Sequence, residues 1–365
     1  MTPPAGSRVR GGGARRARAP RGGASRGRVR LVAAAALGGS LLLSGCGIGT
    51  TGVPVSGTDP AAHCGPSTVA APKGDPVPVE KSPEPELPAT VRSADGTEVT
   101  VEDAERVLAV NLYGSLAEIV HALGLGDRLV GRDVSTTFPA ARNLPLVTAQ
   151  GHDLSAEGVL DLDPSVVITD TSMGPPEVLD QIRRSGVPVV LVDDRQTLPA
   201  VSEHIRAVAA ALGVPGAGRR LAARVNGEIG KAAGAASGAR LRVAFLYLRG
   251  SAGVYLIGGR GAGSDAMIEA IGATDAGTAA GLSGFRPLTS EGLINAAPDV
   301  LLVMTAGLES VGGVDGLLKL PGVAQTPAGR NRRIVDVADG TLLTFGSRTG
   351  ETISALADAV YRPCR

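Results

Sequence analysis

The 365-residue chain contains no tryptophan and only four phenylalanines and four tyrosines. It has three cysteines and no C-x-x-C pair, so thiolate metal sites of that spacing are excluded. The sequence also lacks G-x-S-x-G, H-E-x-x-H and P-loop motifs, and no convincing pair of catalytic carboxylates stands out. An extracellular enzyme therefore finds no support among these motifs, and each rare aromatic residue becomes a candidate for a specific role.

The longest apolar run lies near the start of the chain. Residues 1–45 carry nine arginines and no acidic residue, and they end in L-V-A-A-A-A-L-G-G-S-L-L-L and small residues. This pattern is typical of a secretory signal, and the run is shorter than the roughly 20 residues of a membrane-spanning helix. The pair Arg15-Arg16 leaves twin-arginine export open, but it lies far from the apolar run, so we favour the general secretory route. Without this segment 27 basic residues face 35 acidic ones, a net charge of −8, and nucleic acid is not an expected partner.

The three cysteines fall outside the central part of the chain. The sequence L-S-G-C at residues 43–46 resembles the lipobox of bacterial lipoproteins, which implies that Cys46 is diacylated and anchors the mature chain to the outer face of the cell membrane. The alternative is an ordinary signal followed by a cysteine that occurs there by chance. Outside the cytoplasm, Cys64 and Cys364 as an even pair favour a disulfide, although two free thiols remain open.

The remaining chain divides by composition. Residues 46–89 are rich in Pro and Gly and predict a stiff, extended linker. Strands alternate with helices over 90–197 and again over 240–365, whereas 198–239 is Ala-rich with helical spacing. The pattern predicts an α/β protein of two lobes with mainly parallel sheets, joined by one long helix of about 30 Å.

An internal repeat relates the two predicted lobes. Residues 155–169 read S-A-E-G-V-L-D-L-D-P-S-V-V-I-T, and residues 289–303 read T-S-E-G-L-I-N-A-A-P-D-V-L-L-V. Each stretch predicts a capped short helix, a proline and a buried strand. Because ligands of such sheets bind beyond the carboxyl ends of the strands, two facing lobes would hold a ligand in the cleft between them.

The stretch V-A-F-L-Y-L-R-G at 243–250 predicts a strand that ends at a glycine. Residues two apart on a strand point to the same face, so Tyr247 and Arg249 should stand side by side where the strand ends. A tyrosine that packs at a lobe edge beside a solvated arginine is the alternative to a functional pair.

With the lipobox, the linker, the two lobes and the joining helix, the chain resembles the substrate-binding lipoproteins of ABC importers. It resembles more narrowly the helix-linked class that binds haem, cobalamin and ferric siderophores. The resemblance covers roughly residues 90–362. It rests on Y-G-S-L-A-E-I-V-H-A-L-G-L-G-D-R-L-V-G, L-D-P-S-V-V-I-T-D and L-T-S-E-G-L-I-N-A-A-P-D-V-L-L-V.

Two further stretches, L-P-L-V-T-A-Q-G-H-D-L-S-A-E-G-V-L and F-L-Y-L-R-G, are similar to the haemin-binding lipoproteins of actinobacteria. The resemblance implies a transported ferric haem with His152 and Tyr247 as axial ligands and Arg249 as the hydrogen-bond partner of the tyrosine. Ferric iron favours a phenolate, and a guanidinium stabilises that anion. Phe285 and Met304 are further candidates for the pocket wall.

The resemblance also implies partners. The absence of a P-loop places the ATPase on another chain, beside an ABC permease and the haem or haem-donating proteins that supply the ligand. Glu157 and Glu291 occupy matching places in the internal repeat and are expected to dock to the permease, although the helix dipole alone accounts for acids in a first turn. A ferric siderophore or cobalamin remains the alternative ligand. Zinc would need several histidines in the cleft, and only one is well placed.

Overall fold

The structure is a computed structural model, and it describes residues 65–150, 153–235 and 240–361. The residues His152, Cys46, Cys64 and Cys364, singled out from the sequence, lie outside these ranges. The strands are β1 (Ser67–Val69), β2 (Ala89–Arg92), β3 (Glu98–Val101), β4 (Val107–Ala109), β5 (Thr148–Gln150), β6 (Asp153–Leu154), β7 (Val166–Thr169), β8 (Val189–Leu191), β9 (Arg242–Arg249), β10 (Val254–Gly258), β11 (Thr274–Asp275), β12 (Phe285–Pro287), β13 (Val300–Met304) and β14 (Ile334–Val337).

Most α-helices of the described residues are short, as the strands are, and three are longer. They are α1 (Ser115–Val120), α2 (Ala156–Leu160), α3 (Pro176–Arg184), α4 (Leu198–Ala211), α5 (Pro215–Ala235), α6 (Ser264–Ala270), α7 (Ala276–Ala279), α8 (Ser290–Ala296), α9 (Thr305–Ser310), α10 (Gly313–Leu317), α11 (Pro327–Arg330) and α12 (Thr349–Tyr361). A π-helical turn at His121–Leu125 extends α1, and 3-10 turns lie at Gly126–Arg128, Pro139–Ala141 and Gly250–Ala252.

The N-terminal lobe is built on a parallel sheet of three strands in the order β4-β7-β8. Its strands are buried apolar runs without polar alternation, as expected where helices cover both faces of a sheet. Strands β2 and β3 form an antiparallel hairpin, and Asp95-Gly96 lies in the turn between them. Helix α3 begins at a proline, whose fixed φ suits the first helical turn.

The C-terminal lobe contains a seven-stranded mixed sheet in the order β1-β14-β13-β9-β10-β12, with β11 paired to the start of β9. Strands β1, β14, β13, β9 and β11 run parallel, while β10 and β12 are antiparallel to their neighbours. The prediction of two α/β lobes with mainly parallel sheets is confirmed.

Helices α4 and α5 form a spine between the lobes and pack against each other, and α5 also packs on α12. The 21 residues of α5 span about 30 Å at 1.5 Å per residue. The break between α4 and α5 falls at Gly213, which has a φ of +68° and would place a Cβ 2.6 Å from the carbonyl oxygen of Glu86. No helix of the described residues is long and apolar enough to cross a bilayer.

Residues 65–88, here named the strap, differ from the predicted spacer because they pack on the folded lobes. The strap begins in the C-terminal sheet, where β1 pairs with β14. It then reaches the N-terminal lobe, where the amide N–H of Val79 donates to the carbonyl of Ala122 at 2.8 Å, and the spine, where that of Glu86 donates to Gly213 at 2.8 Å. Proline-rich composition predicts an extended chain but carries no information on the surface against which that chain packs.

A buried ion pair joins the two lobes. The Glu118 carboxylate on α1 accepts hydrogen bonds from Arg348 Nε at 3.0 Å, Arg348 Nη2 at 2.9 Å and the Arg348 amide at 2.9 Å. The hydroxyl of Ser347 donates to the same carboxylate at 3.0 Å. The Glu118 and Arg348 side chains are 5% and 15% exposed, so water screens this contact little.

A layer of buried polar residues lies at the carboxyl end of the N-terminal sheet. Asp133 is fully buried, and its carboxylate accepts from the amides of Asn111 at 3.1 Å and Thr136 at 2.7 Å. The Asn111 side-chain amide donates to Ser115 and to Asp170, both at 2.9 Å. These bonds hold the loop that starts at Asp133. Burial, opposed by the hydrogen bonds, raises the pKa of Asp133 from 3.8 to about 6.

Replacing Glu118 with Ala should lower the free energy of unfolding by about 3 kcal/mol, because Arg348 would remain buried without its partner. Urea unfolding measures the change. An equal slope of unfolding free energy against urea concentration in both proteins shows that only stability has changed. The matched control is Asp315→Ala, which removes an exposed ion pair with Arg332 in the C-terminal lobe and should leave stability nearly unchanged. Equal effects of the two variants would contradict a role for the pair between the lobes.

The folded protein holds the Asp133 proton more tightly than the unfolded chain, in which the carboxyl ionises near pH 3.8. This group should therefore add about 2 kcal/mol of stability when the pH falls from 7 to 4.5, and the gain disappears as the pH rises through 6. Asp133→Asn should remove that difference, measured by urea unfolding at both pH values. The control Asp127→Asn, at an exposed carboxylate of the same lobe, should keep it. An unchanged pH difference in Asp133→Asn would contradict the assignment.

Candidate functional site

A cavity of about 420 Å³ lies between the two lobes. It lies at the carboxyl ends of the parallel strands β4, β9, β13 and β14, where a ligand was expected. The N-terminal lobe contributes three lining residues and the C-terminal lobe eight: Leu112, Tyr113 and Ser135, and Tyr247, Arg249, Leu256, Phe285, Met304, Asp339, Gly340 and Leu343. The volume is within the usual range of small-molecule sites.

Four residues singled out from the sequence, Tyr247, Arg249, Phe285 and Met304, line this one cavity. Strand register explains their proximity. Tyr247 pairs with Leu256 of β10, and β10 pairs in turn with β12, so that the rings of Tyr247 and Phe285 lie with centroids 6.1 Å apart. Met304 ends β13, the parallel neighbour of β9. This side of the cavity therefore combines the phenol of Tyr247 with apolar neighbours.

The Arg249 guanidinium lies over the ring of Tyr247, with its carbon 4.5 Å from the ring centroid. Its Nη1 donates to the carbonyl of Leu248 at 2.9 Å, and its Nη2 donates to the Asp339 carboxylate at 3.1 Å. The predicted side-by-side placement is present. However, the guanidinium stacks on the face of the ring, and no hydrogen bond between Arg249 and the Tyr247 hydroxyl is found among the described residues.

Tyr113 brings a second phenol to the cavity from the opposite lobe, in a different electrostatic setting. Burial raises its pKa, and the nearby carboxylates of Asp170 and Asp194 raise it further. Its phenol is therefore held neutral, whereas that of Tyr247 lies beside a cation. The two walls of the cavity differ in chemistry, with a neutral hydroxyl on one side and a phenol under a guanidinium on the other.

Residues Gly151 and His152 fall between β5 and β6 and are outside the described parts of the chain. The loop that starts at Asp133 lies between β5 and the cavity. The amide of Val134 donates to the Thr148 hydroxyl of β5 at 3.1 Å, and the next residue, Ser135, lines the cavity wall. The histidines His121 and His204 are engaged elsewhere, the first beside the strap at Pro76 and the second in the core.

The two copies of the internal repeat have the same local structure. The hydroxyls of Ser155 and Thr289 cap α2 and α8, and each accepts from the backbone three residues on at 3.1 Å. Glu157 and Glu291 occupy the first turns of these helices, and both are exposed. Each helix leads to a buried parallel strand, β7 or β13. The structure thus brings the two glutamates to equivalent places, one on each lobe.

Sequence reasoning missed Tyr113 and Asp339 as cavity residues. Both follow shortly after a buried parallel strand, in V-L-A-V-N-L-Y-G and I-V-D-V-A-D-G. Polar residues at strand ends in both lobes were the available signal. Among the described residues no group of three or more His, Cys, Asp and Glu side chains is arranged to hold a metal ion.

The chain is similar to known proteins over most of its length. An ABC transporter substrate-binding lipoprotein of Bacillus subtilis, YvrC, is 26% identical over 281 residues, which are 75% of this chain and 86% of that protein. The crystal structure of the heme binding protein HmuT matches with a TM-score of 0.79 at 40% identity, over 84% of this chain and all of HmuT. Variants of HmuT in which a histidine, an arginine or a tyrosine is replaced by alanine match equally well.

A second solved structure, the periplasmic heme-binding protein RhuT from Roseiflexus sp. RS-1, matches with a TM-score of 0.68 at 48% identity, over 72% of this chain and all of RhuT. The family model for periplasmic binding proteins matches residues 110–339, which hold both sheets' central strands and the spine. With its two α/β lobes, spine and cavity between the lobes, the chain belongs to the periplasmic binding protein family.

Proposed function

We propose that this protein is a lipid-anchored, non-catalytic haem carrier that captures ferric haemin outside the cytoplasm and delivers it to an ABC permease for uptake. The observation that carries the proposal is the stacked pair of Tyr247 and Arg249 in the wall of the cavity between the lobes. A phenol beside a cation is suited to bind ferric iron as phenolate, because the positive charge favours the ionised donor.

The apolar lining agrees with a porphyrin as ligand. Leu112, Leu256, Phe285, Met304 and Leu343 line the cavity together with Tyr247, and they supply contact surface for a flat hydrophobic molecule. The polar side chains of the lining are few: Tyr113, Ser135, Tyr247, Arg249 and Asp339. The similarity to HmuT and RhuT, both named for haem binding, supports the same ligand class.

His152 is the proposed second iron ligand. The chain segment on its N-terminal side is held beside the cavity, since Thr148 of β5 is bonded to the loop that carries Ser135. The histidine, tyrosine and arginine replaced in the HmuT variants are the residue types of His152, Tyr247 and Arg249. A ligand from each lobe would place the iron between the lobes.

A ferric siderophore or cobalamin is the alternative ligand in the same fold. Anionic siderophores are expected to need several cationic groups, and Arg249 is the single arginine or lysine among the residues that line this cavity. Its charge is moreover shared with Asp339. These features favour haem, whose ferric iron would take one anionic donor from the protein, over a highly charged siderophore.

The proposed location and partners follow from the sequence and the family. Diacylation of Cys46 would tether the chain to the outer face of the membrane, and the similarity to the lipoprotein YvrC supports that location. A disulfide between Cys64 and Cys364 would add a covalent link between the start of the strap and the end of α12. We assign the permease contact to Glu157 and Glu291, which are exposed and equivalent in the two lobes.

Haemin titration of residues 47–365, which retain every described residue, tests the ligand. The wild type should give a shifted Soret band, and Tyr247→Phe and His152→Ala should each weaken affinity at least about tenfold, because each removes an iron ligand. Tyr255→Phe, on the adjacent strand but outside the cavity lining, is the matched control and should bind as the wild type does. The proposal would be falsified if haemin did not bind or if both substitutions left affinity unchanged.

Docking is tested separately from binding. Glu157→Ala and Glu291→Ala should leave haemin affinity intact and reduce haemin uptake by cells that depend on this carrier, with the double variant the most impaired. Glu177→Ala is the matched control, since Glu177 is also an exposed acid in a helical first turn of the N-terminal lobe. Normal uptake by the double variant would remove these residues from the proposed interface.

A further inference from the structure

The Arg249 side chain lies in a niche at the end of β9. One side of the guanidinium faces the Tyr247 ring, and its two Nη atoms donate to the Leu248 carbonyl and to Asp339. Gly307 of α9 closes the niche, because a Cβ added there would lie 2.9 Å from the Leu248 carbonyl oxygen and 3.5 Å from Arg249 Nη1. A residue without a side chain is thus required where the helix passes the guanidinium.

The two oxygens of the Asp339 carboxylate have different partners. Oδ1 accepts from Arg249 Nη2 at 3.1 Å, and Oδ2 accepts from the amide of Ala306 at 2.9 Å. Ala306 is in the first turn of α9, where a backbone N–H lacks an intrahelical acceptor. The carboxylate is therefore oriented by the helix while it holds the arginine.

Helix α9 is itself attached to the end of β9. The hydroxyl of Ser310 accepts a hydrogen bond from the amide of Gly250 at 2.9 Å, and α9 packs against β9, β13 and β14. The strand end that carries Tyr247 and Arg249 is consequently joined to the same helix that orients Asp339. This closed set of contacts fixes the relative positions of carboxylate, guanidinium and phenol.

We infer that Asp339 is a positioning residue for the proposed iron site, which holds the Arg249 guanidinium on the face of Tyr247. This inference rests on the proposed function and names a residue that the haem-binding argument did not require. Without Asp339, the half-exposed arginine would gain freedom to rotate into solvent, and its charge would leave the phenol. The carboxylate of Asp339 thus adds a side-chain restraint on the guanidinium to the hydrogen bond that Arg249 makes with the Leu248 carbonyl.

A double-mutant cycle tests the inference in the haemin complex. Asp339→Ala should speed the loss of ferric haemin to excess apomyoglobin roughly two- to fivefold, the effect expected for a half-exposed ion pair. Arg249→Ala should speed it at least as much, and adding Asp339→Ala to Arg249→Ala should cause no further change. Additive effects of the two substitutions would overturn the inference.

The variant Asp339→Asn separates charge from helix capping, because its amide oxygen still accepts from Ala306. It should lose haemin nearly as fast as Asp339→Ala, and it should move the acid-induced change of the Soret band to higher pH, since the phenolate loses its cation. Wild-type behaviour of Asp339→Asn would overturn the inference. Asp315→Ala, at another Asp–Arg pair of the same lobe, is the matched control.

A readout without haem keeps the two proposals distinguishable. Because the chain has no tryptophan, near-ultraviolet circular dichroism of the ligand-free protein reports chiefly on its four tyrosines. Asp339→Ala should change the tyrosine band, and the change should vanish in a Tyr247→Phe background. A change that persists there, or no change at all, would overturn the positioning role. Absence of haemin binding by the wild type would overturn the proposed function alone.

Discussion

The relative position of the two lobes depends on one buried carboxylate. The Glu118 carboxylate on α1 accepts hydrogen bonds from the backbone and side chain of Arg348 and from the hydroxyl of Ser347. These bonds attach the loop before α12 to the N-terminal lobe. That same stretch of chain follows Asp339 and Gly340, which line the cavity from the other side. One short stretch of chain therefore carries both a contact between the lobes and part of the cavity lining, and the strap and spine helices also join the lobes.

The two phenols illustrate how position determines chemistry. Tyr113 and Tyr247 face one cavity from opposite lobes, yet carboxylates lie near the first and a guanidinium lies on the second. Burial and the carboxylates raise the pKa of Tyr113, whereas the ring of Tyr247 is in contact with a cation. The scarcity of aromatic residues in the chain makes this separation easy to recognise.

Much of the architecture could be predicted from the sequence because it follows local rules. Apolar runs bounded by Gly and Pro gave the buried strands, and the matching caps at Ser155 and Thr289 revealed the duplicated lobes. Strand periodicity placed Tyr247 and Arg249 on one face. The rest depended on contacts between distant segments, which periodicity does not encode: Asp339 lies 90 residues from Arg249 in the chain.

The stacked geometry of Arg249 was likewise beyond reach of sequence reasoning. A guanidinium beside a phenol can bond to its oxygen or lie on its ring, and the choice depends on where the other donors of the arginine are satisfied. Here the Leu248 carbonyl and Asp339 draw the two Nη atoms away. The strap shows the same limit, since its composition predicted an extended chain but not its binding surface.

The strand β1 has a consequence for the solubility of the molecule. It pairs along β14 over three residues and is the outermost strand of the C-terminal sheet. Short edge strands protect a longer strand from pairing with another molecule. A shortened chain that begins at residue 90 would expose the backbone of β14 and favour association of two molecules through this edge. The strap, which carries β1, therefore also protects the protein against aggregation.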